Sequence, residues 1–226
     1  MKDPIGELRE IVIEGLADSI LQAEEAITLR AKIGATSTRT GESGLDHLFD
    51  RLQIIMGQFA ILATCKLFEK ESDNYPLQSL PAALNHLRFN AEYLKIENKE
   101  FVIKKLISFG HEETQFEGIP DPWITQLVRK EFADRLPVPG EPESGELSKA
   151  LDTLKSLHDM PMSHSGTTRK PDGLTPAEAG IRTLLEFARD FVETIGKGYL
   201  NTDPQWDTAK TSGELTRLLT QAGVQA

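Results

Sequence analysis

The stretch TPAEAGIRTLLEFARDFVETIGKGY, residues 175–199, decides the fold class of this chain. Thr175 is a typical N-cap residue, Pro176 suits the first helical position, and Glu178 can reach back to the cap. Apolar residues then recur every three or four positions, which is the spacing of one helix face. That face holds Ile181, Leu184, Leu185, Ala188, Val192, Ile195 and Tyr199. The stretch therefore predicts a long amphipathic helix.

The same spacing recurs along most of the chain, and no alternating stretch is long enough to predict a strand. Further helices are predicted over 5–34, 45–70, 79–96, 101–109, 121–136, 147–157 and 203–219. In the helix over 45–70 the predicted buried stripe is Leu48, Leu52, Ile55, Phe59, Leu62 and Ala63. We expect an all-α protein, an antiparallel helical bundle with a single domain over 1–226 and with 35–43 and 137–145 as loops.

Composition excludes several classes of protein. The chain has 226 residues with 25 basic and 35 acidic side chains, a formal net charge of −10, so any contact with nucleic acid must use a local patch. Its one cysteine, Cys65, excludes an internal disulfide framework and a cysteine zinc cluster. We expect an inert buried thiol there. The apolar run 54–65 is shorter than the roughly 20 residues that span a bilayer. Without a signal-peptide pattern, these features predict a cytoplasmic protein that does not contact membranes.

The candidate chemistry lies where the local charge changes sign. Residues 111–146 hold nine acidic and three basic side chains, whereas residues 149–170 hold four basic and two acidic ones. Within the second segment, His158-Asp159 is followed by Met160-Pro161-Met162-Ser163-His164. The end of the helix predicted over 147–157 favours a cation at His158. Two nearby imidazoles are a workable acid–base pair, because their ordinary pKa lies close to neutrality.

This segment resembles the signature of the HEPN superfamily, in particular its abortive-infection U-like branch. That signature is an arginine followed after four to six residues by a histidine. Asp159 and His164 fall in register with it, whereas His158 stands at the arginine position and Ser163 at an alanine position. The segments 62–68 and 77–80 are also similar to that branch, and the likeness in spacing covers roughly residues 45 to 222.

The resemblance implies a HEPN-like bundle that forms a homodimer and cleaves RNA without metal or other cofactor, in a phage-defence or toxin–antitoxin system. Two copies of the motif would form one site. His164 would act as general acid or base, Asp159 would orient a histidine, and His158 would contact the phosphate. Lys155, Arg169 or Lys170 can supply the positive charge that the missing arginine would give. An antitoxin or a nucleotidyltransferase-like protein is the implied partner.

Simpler interpretations of the same residues stay open. His158 can cap the helix end, Asp159 can cap the following turn, and His164 can lie on a loop. The three residues offer only two imidazoles and one carboxylate to a metal. The chain would then be a non-catalytic helical protein-interaction module or a scaffold for an antitoxin partner. We also expect Trp123 and Trp206 to pack at the edges of the core.

Overall fold

The structure is a computed structural model that describes residues 3–40, 43–70, 78–141, 145–159 and 175–209, together with Gly213, Glu214, Thr216 and Arg217. All regular secondary structure in these residues is helical, so the prediction of an all-α helical bundle is confirmed. The helices are α1 (Pro4–Arg9), continued by a π-helical segment (Glu10–Ala17) into α2 (Asp18–Thr40), then α3 (Ser43–Lys66), α4 (Leu80–Asn90), α5 (Lys99–Ser108), α6 (Asp121–Arg135), α7 (Glu146–Asp159) and α8 (Thr175–Tyr199). Short 3-10 turns lie at Ala91–Tyr93 and Glu113–Phe116.

Side-chain caps explain where several helices begin. Asp3 Oδ1 accepts a hydrogen bond from the Ile5 amide at 3.1 Å. Asn98 Oδ1 accepts one from the Phe101 amide at 3.1 Å, and Ser79 Oγ accepts one from the Ala82 amide at 3.4 Å. Each cap satisfies an amide of the first helical turn that has no partner within the helix.

Some predicted boundaries are wrong. The helices predicted to end at residues 70 and 96 end at Lys66 and Asn90. Of the loop predicted over 35–43, residues 35–40 belong to α2 and Ser43 begins α3, whereas residues 41 and 42 lie outside the described part. Gly34 does not end the helix: a Cβ there would lie 2.9 Å from Gln53 Oε1, so the glycine permits close packing against α3. The predicted helix over 203–219 does not begin at Asp203, because residues 201–208 are not helical.

The chain after α8 instead folds back on the end of that helix. The Thr202 amide donates to the Gly196 carbonyl at 2.8 Å. A Cβ at Gly196 would lie 3.1 Å from Pro204, so the segment packs closely against the helix end. The predicted loop over 137–145 agrees with the structure at residues 137–141 and 145, and its remaining residues lie outside the described part.

Contacts along the chain divide it into two compact units. The first comprises Met1–Asp18, Lys66–Val138 and Leu185–Gln205. The second comprises Ser19–Cys65, Pro139–Leu184 and Trp206–Ala226. The expectation that the chain forms one domain stays a prediction.

An aromatic cluster around Phe132 forms the core of the first unit. The Phe132 ring contacts Phe109, Phe187 and Phe191, with centroids 5.4, 5.9 and 5.1 Å away. Nearby, the buried Tyr199 hydroxyl donates to Thr125 Oγ1 at 3.2 Å. Burial raises the pKa of the Tyr199 phenol well above its ordinary value of 10.0. The phenol therefore stays neutral over the whole physiological range.

The second unit is closed by packing of α7 on α8 and of α2 on α3. Gly180 of α8 lies against Ala150 of α7, since a Cβ on the glycine would be 3.3 Å from the alanine Cβ. Ile33 of α2 and Phe49 of α3 form a small buried cluster. An ion pair of 3.1 Å joins Arg30 of α2 to Glu178 of α8.

The predicted buried face of α8 is confirmed. Its members are each at most 4% exposed: Ile181, Leu184, Leu185, Ala188, Val192, Ile195 and Tyr199. Cys65 is also buried, as predicted.

Candidate functional site

The structure covers only part of the predicted histidine site. His158 is exposed on the last turn of α7, and Lys155 is partly exposed three residues earlier. Residues at this spacing lie on one helix face, so these two side chains are neighbours. Asp159 is the last residue of α7, but its side chain lies outside the described part. His164, Arg169 and Lys170 also lie outside it.

No metal centre is visible among the described side chains. No group of three or more histidine, cysteine, aspartate or glutamate side chains in that part of the chain is placed to hold an ion. His86, on α4, is buried, and its Nε2 lies 2.8 Å from the Pro4 carbonyl oxygen. His111 Nε2 lies 2.9 Å from Glu131 Oε1. Both rings thus contact neighbouring segments of their own unit.

A small crevice in the second unit is too narrow for a substrate. Its lining includes Ile27 of α2, Gly57 of α3 and Ile181 of α8, and Arg30 and Glu178 form their ion pair at its edge. It has room for about one water molecule.

Helix α3 exposes the face that the sequence predicts to be buried. Leu48 and Ile55 are each 50% exposed, Phe59 is 42% exposed and Leu62 is 39% exposed. We call these four side chains the α3 stripe. Of the six residues predicted on the buried face, Ala63 alone is buried, and Leu52 is partly buried. The helix is therefore present as predicted, but its predicted buried stripe is wrong at the four residues of the α3 stripe.

The α3 stripe is narrow and straight. With 3.6 residues per turn, its four residues fall within about 60° of the helix circumference and extend over about 21 Å. The opposite side of α3 is buried in the second unit and includes Phe49, Gln53, Gly57, Ala60 and Thr64. Helix α3 is thus largely apolar on both sides, a pattern typical of a helix that is buried all round.

The same helix meets the length and hydropathy criteria for a membrane span. Its segment His47–Lys66 has 20 residues, and an 18-residue window within it has a mean hydropathy of 1.2 and is 44% buried inside the protein. No other helix in the described ranges meets these criteria. The sequence argument against a membrane span rests on the apolar run 54–65, which is too short. That argument does not apply to the complete helix, which is longer.

A second exposed cluster lies in the first unit and consists of aromatic side chains. Phe89 is the residue before the last of α4, Tyr93 ends the following 3-10 turn, and Trp123 lies in the first turn of α6. They are 73%, 62% and 69% exposed, respectively. We call these three residues the aromatic corner. The expectation that Trp123 packs at a core edge is wrong, whereas Trp206 is partly buried.

The sequence contains signals for both surfaces that simple periodicity misses. In α4 the buried residues include Leu80, Ala83, Leu84 and Leu87, and Phe89 lies off that stripe. In α3 the signal is the presence of apolar residues on all sides, which does not indicate which side the chain itself covers.

Comparison with known proteins gives no relative for this chain. No protein-family model matches it, and no curated protein and no solved structure matches it either.

Proposed function

We propose that the protein is a helical protein-interaction module that acts as a homodimer through the α3 stripe. The observation that carries the proposal is the exposure of Leu48, Ile55, Phe59 and Leu62 on a helix whose opposite side is already buried. Single exposed apolar residues are common on protein surfaces, but contiguous apolar patches of a few hundred Å² mark interaction sites.

The size of the α3 stripe fits the centre of an interface. Four large side chains, each about half exposed, offer on the order of 300 Å² of apolar surface. A standard interface buries about 800 Å² on each partner, with an apolar centre and a polar rim. Exposed polar side chains border the stripe, with His47 at one end and Lys66 at the other. Such groups suit a rim.

A second copy of the chain is the occupant that the stripe fits best. Ile55 is its midpoint, with Leu48 and Leu62 seven residues away on either side. If two α3 helices pair antiparallel about a two-fold axis at Ile55, Leu48 of one copy faces Leu62 of the other. Arg51, which is exposed, then lies opposite Phe59, where a guanidinium can stack on the ring.

Sedimentation velocity of the full chain tests the homodimer. We expect a dimer at about 10 µM, a concentration above the dissociation constant of an interface worth about 8 kcal/mol. Ile55→Asp places two carboxylates at the centre of the interface and should weaken association by more than about 100-fold. The matched control is Ile107→Asp on α5, where the isoleucine is 36% exposed and should tolerate the same change without affecting association.

Two results would contradict the homodimer. One is a wild-type chain that stays monomeric at that concentration. The other is a monomer that floats with lipid vesicles, which would assign the α3 stripe to a membrane surface. If both isoleucine variants dimerise equally well, the interface lies elsewhere on the molecule.

A second candidate function is metal-independent RNA cleavage by a HEPN-like protein of a phage-defence or toxin–antitoxin system. The exposure of His158 at the end of α7, beside Lys155, favours it, because both side chains are accessible to a phosphate. In this proposal His164 is the general acid or base, with Asp159 as its orienting group and Arg169 or Lys170 as further phosphate contacts. An antitoxin or a nucleotidyltransferase-like protein would be the cognate partner.

An RNA cleavage assay in the presence of a chelator tests this second candidate. His164→Ala should lower the rate by about 10²- to 10⁴-fold, the usual contribution of one well-placed histidine. His111→Gln is the control, because His111 contacts Glu131 outside the motif. Equal rates in His164→Ala and the wild type, or loss of cleavage on adding chelator, would reject this function.

A further inference from the structure

We propose that the aromatic corner binds single-stranded nucleic acid by stacking unpaired bases on its rings. This inference goes beyond the homodimer and uses a different surface. Phe89, Tyr93 and Trp123 belong to three separate elements of the first unit, and α6 packs against both α4 and the 3-10 turn.

Two hydrogen bonds place the three residues at one corner. The Asp121 carboxylate, at the start of α6, accepts from the Ile96 amide at 3.2 Å. One turn later, Gln126 Nε2 donates to the Arg88 carbonyl at 3.1 Å. In sequence, Trp123 lies between Asp121 and Gln126. Phe89 and Tyr93 lie between Arg88 and Ile96, the partners of those two residues. The first turns of α6, which carry Trp123, therefore lie beside the segment that carries Phe89 and Tyr93.

The three rings are available to a ligand. Each is more than 60% exposed, and no ring of the corner contacts another aromatic ring among the described residues. Aromatic side chains usually bury most of their surface, and leaving three such rings in water is costly. Flat exposed rings offer the faces on which nucleobases stack.

Cations without carboxylate partners accompany the rings. The Arg88 guanidinium lies 5.4 Å from the Phe89 ring centroid. Lys130, which is exposed, follows Trp123 by seven residues and thus lies on the same face of α6. Neither side chain forms an ion pair with any carboxylate in the described ranges. The 3-10 turn Ala91–Tyr93 carries one exposed acidic residue, Glu92.

This positive charge is local in a protein of net charge −10. A generally acidic surface repels nucleic acid, so a strand would be held only where cations and rings coincide. Other cations close to the corner are already neutralised. Lys95 pairs with Glu97 at 3.1 Å, and Lys99 pairs with Asp121 at 3.1 Å.

The chemistry of the corner favours a nucleic-acid strand over a protein partner. Its large exposed apolar residues are all aromatic, whereas three of the four in the α3 stripe are aliphatic. Stacking needs only ring faces, and the phosphates need only nearby cations.

Fluorescence anisotropy with labelled oligonucleotides tests the proposal on the full chain. The probes are single strands of uridylate and of thymidylate, each about 12 nucleotides long, which is within the usual site size for stacking surfaces. We expect either strand to bind at about 50 mM salt and to bind more weakly at about 200 mM. Trp123→Ala should weaken binding by about 5- to 100-fold, the loss of one stacked base.

Further variants separate stacking from charge. Tyr93→Ala should also weaken binding, whereas Lys130→Gln should reduce the dependence of log affinity on log salt by about 0.7, one phosphate contact. The control is Ile107→Ala, which removes an exposed apolar side chain of α5 outside the aromatic corner and should leave binding unchanged. In a Trp206→Phe background, quenching of the remaining tryptophan should follow the same binding curve, because the chain has two tryptophans.

The proposal is overturned if neither strand binds at about 100 µM protein, the weak end of non-specific affinities. It is also overturned if a duplex of the same length binds as well as the single strands, or if Trp123→Ala binds within twofold of the wild type. If a polyglutamate peptide binds in place of the oligonucleotides and loses affinity in Trp123→Ala, the corner belongs to an acidic protein partner. Because dimerisation is measured separately by sedimentation, failure of one proposal leaves the other intact.

Discussion

Helices α8 and α3 are of nearly equal length, 25 and 24 residues, yet their apolar residues have different environments. The seven residues of the predicted α8 face are all buried. Four of the six residues of the predicted α3 face are exposed by 39% or more. In α8 the side opposite the apolar face is polar, with charged residues such as Arg182 and Glu186. In α3 the opposite side is apolar as well.

The difference shows what hydrophobic periodicity determines. It identifies residues that share a helix face, and it selects the buried face where the other face is polar. In α3 both faces are apolar, and the structure buries only one of them. The remaining face is then free for another molecule, which is why α3 rather than α8 carries the proposed interface.

The largest expected effect is a difference in the free energy of unfolding between two phenylalanine variants, one in each helix. Phe191→Ala in α8 should lower the free energy of unfolding by about 3 to 5 kcal/mol, because the ring is buried against Phe132. Phe59→Ala in α3 should cost the monomer only about 1 kcal/mol, because 42% of this side chain is already exposed to water. Urea unfolding at a protein concentration below the dimer dissociation constant measures both. A large loss in Phe59→Ala would show that the monomer itself covers this face.

Two neighbouring residues of α3 sharpen the comparison within one helix. Ile61 is 3% exposed and Leu62 is 39% exposed. Ile61→Ala should cost about 2 to 5 kcal/mol of monomer stability. Leu62→Ala should instead weaken the dimer in sedimentation while costing only about 1 kcal/mol of monomer stability. Equal costs for the two variants would remove the distinction between the faces.

Burial of Tyr199 at the end of α8 should make the folded protein less stable as the pH rises above 10. Burial raises the pKa of Tyr199 in the folded protein above the value of 10.0 in the unfolded chain. The unfolded chain therefore loses this proton first, so the stabilisation is complete below pH 10 and declines as pH rises. The decline is at most about 1.4 kcal/mol per pH unit for one group.

The control for the pH effect is Tyr199→Phe. It should cost about 1 kcal/mol at neutral pH, through loss of the hydrogen bond to Thr125, and should flatten the decline above pH 10. Urea unfolding at several pH values measures both chains. A decline equally steep in Tyr199→Phe would mean that another group is responsible.

Much of the fold could be predicted because helix signals are local. The Thr175-Pro176 start of α8 and the apolar spacing that follows depend on neighbouring residues alone. The helix boundaries that were predicted wrongly depend on tertiary contacts between distant residues. Gly34 lies inside a helix because Gln53 packs against it, and the segment after Asn201 follows the end of α8 because Pro204 packs near Gly196.

Less of the candidate site could be predicted. The motif from His158 to His164 is recognisable in sequence, but His158 is the one histidine of the motif in the described part of the chain, and the resemblance to HEPN proteins stays a prediction. The α3 stripe and the aromatic corner both depend on which surfaces the chain leaves uncovered. Trp123 illustrates the problem, because its sequence context resembles a core edge and its actual exposure follows from how α6 packs against α4.

Disulfide trapping at Ile55 tests the central claim, that a second copy covers the α3 stripe, most directly. Cys65 is the one cysteine of the chain, so Cys65→Ala gives a background in which Ile55→Cys introduces a single thiol. We predict that mild oxidation links two copies through position 55, and that Ile107→Cys in the same background gives no such dimer. Equal trapping at both positions, or none at position 55, would contradict the account.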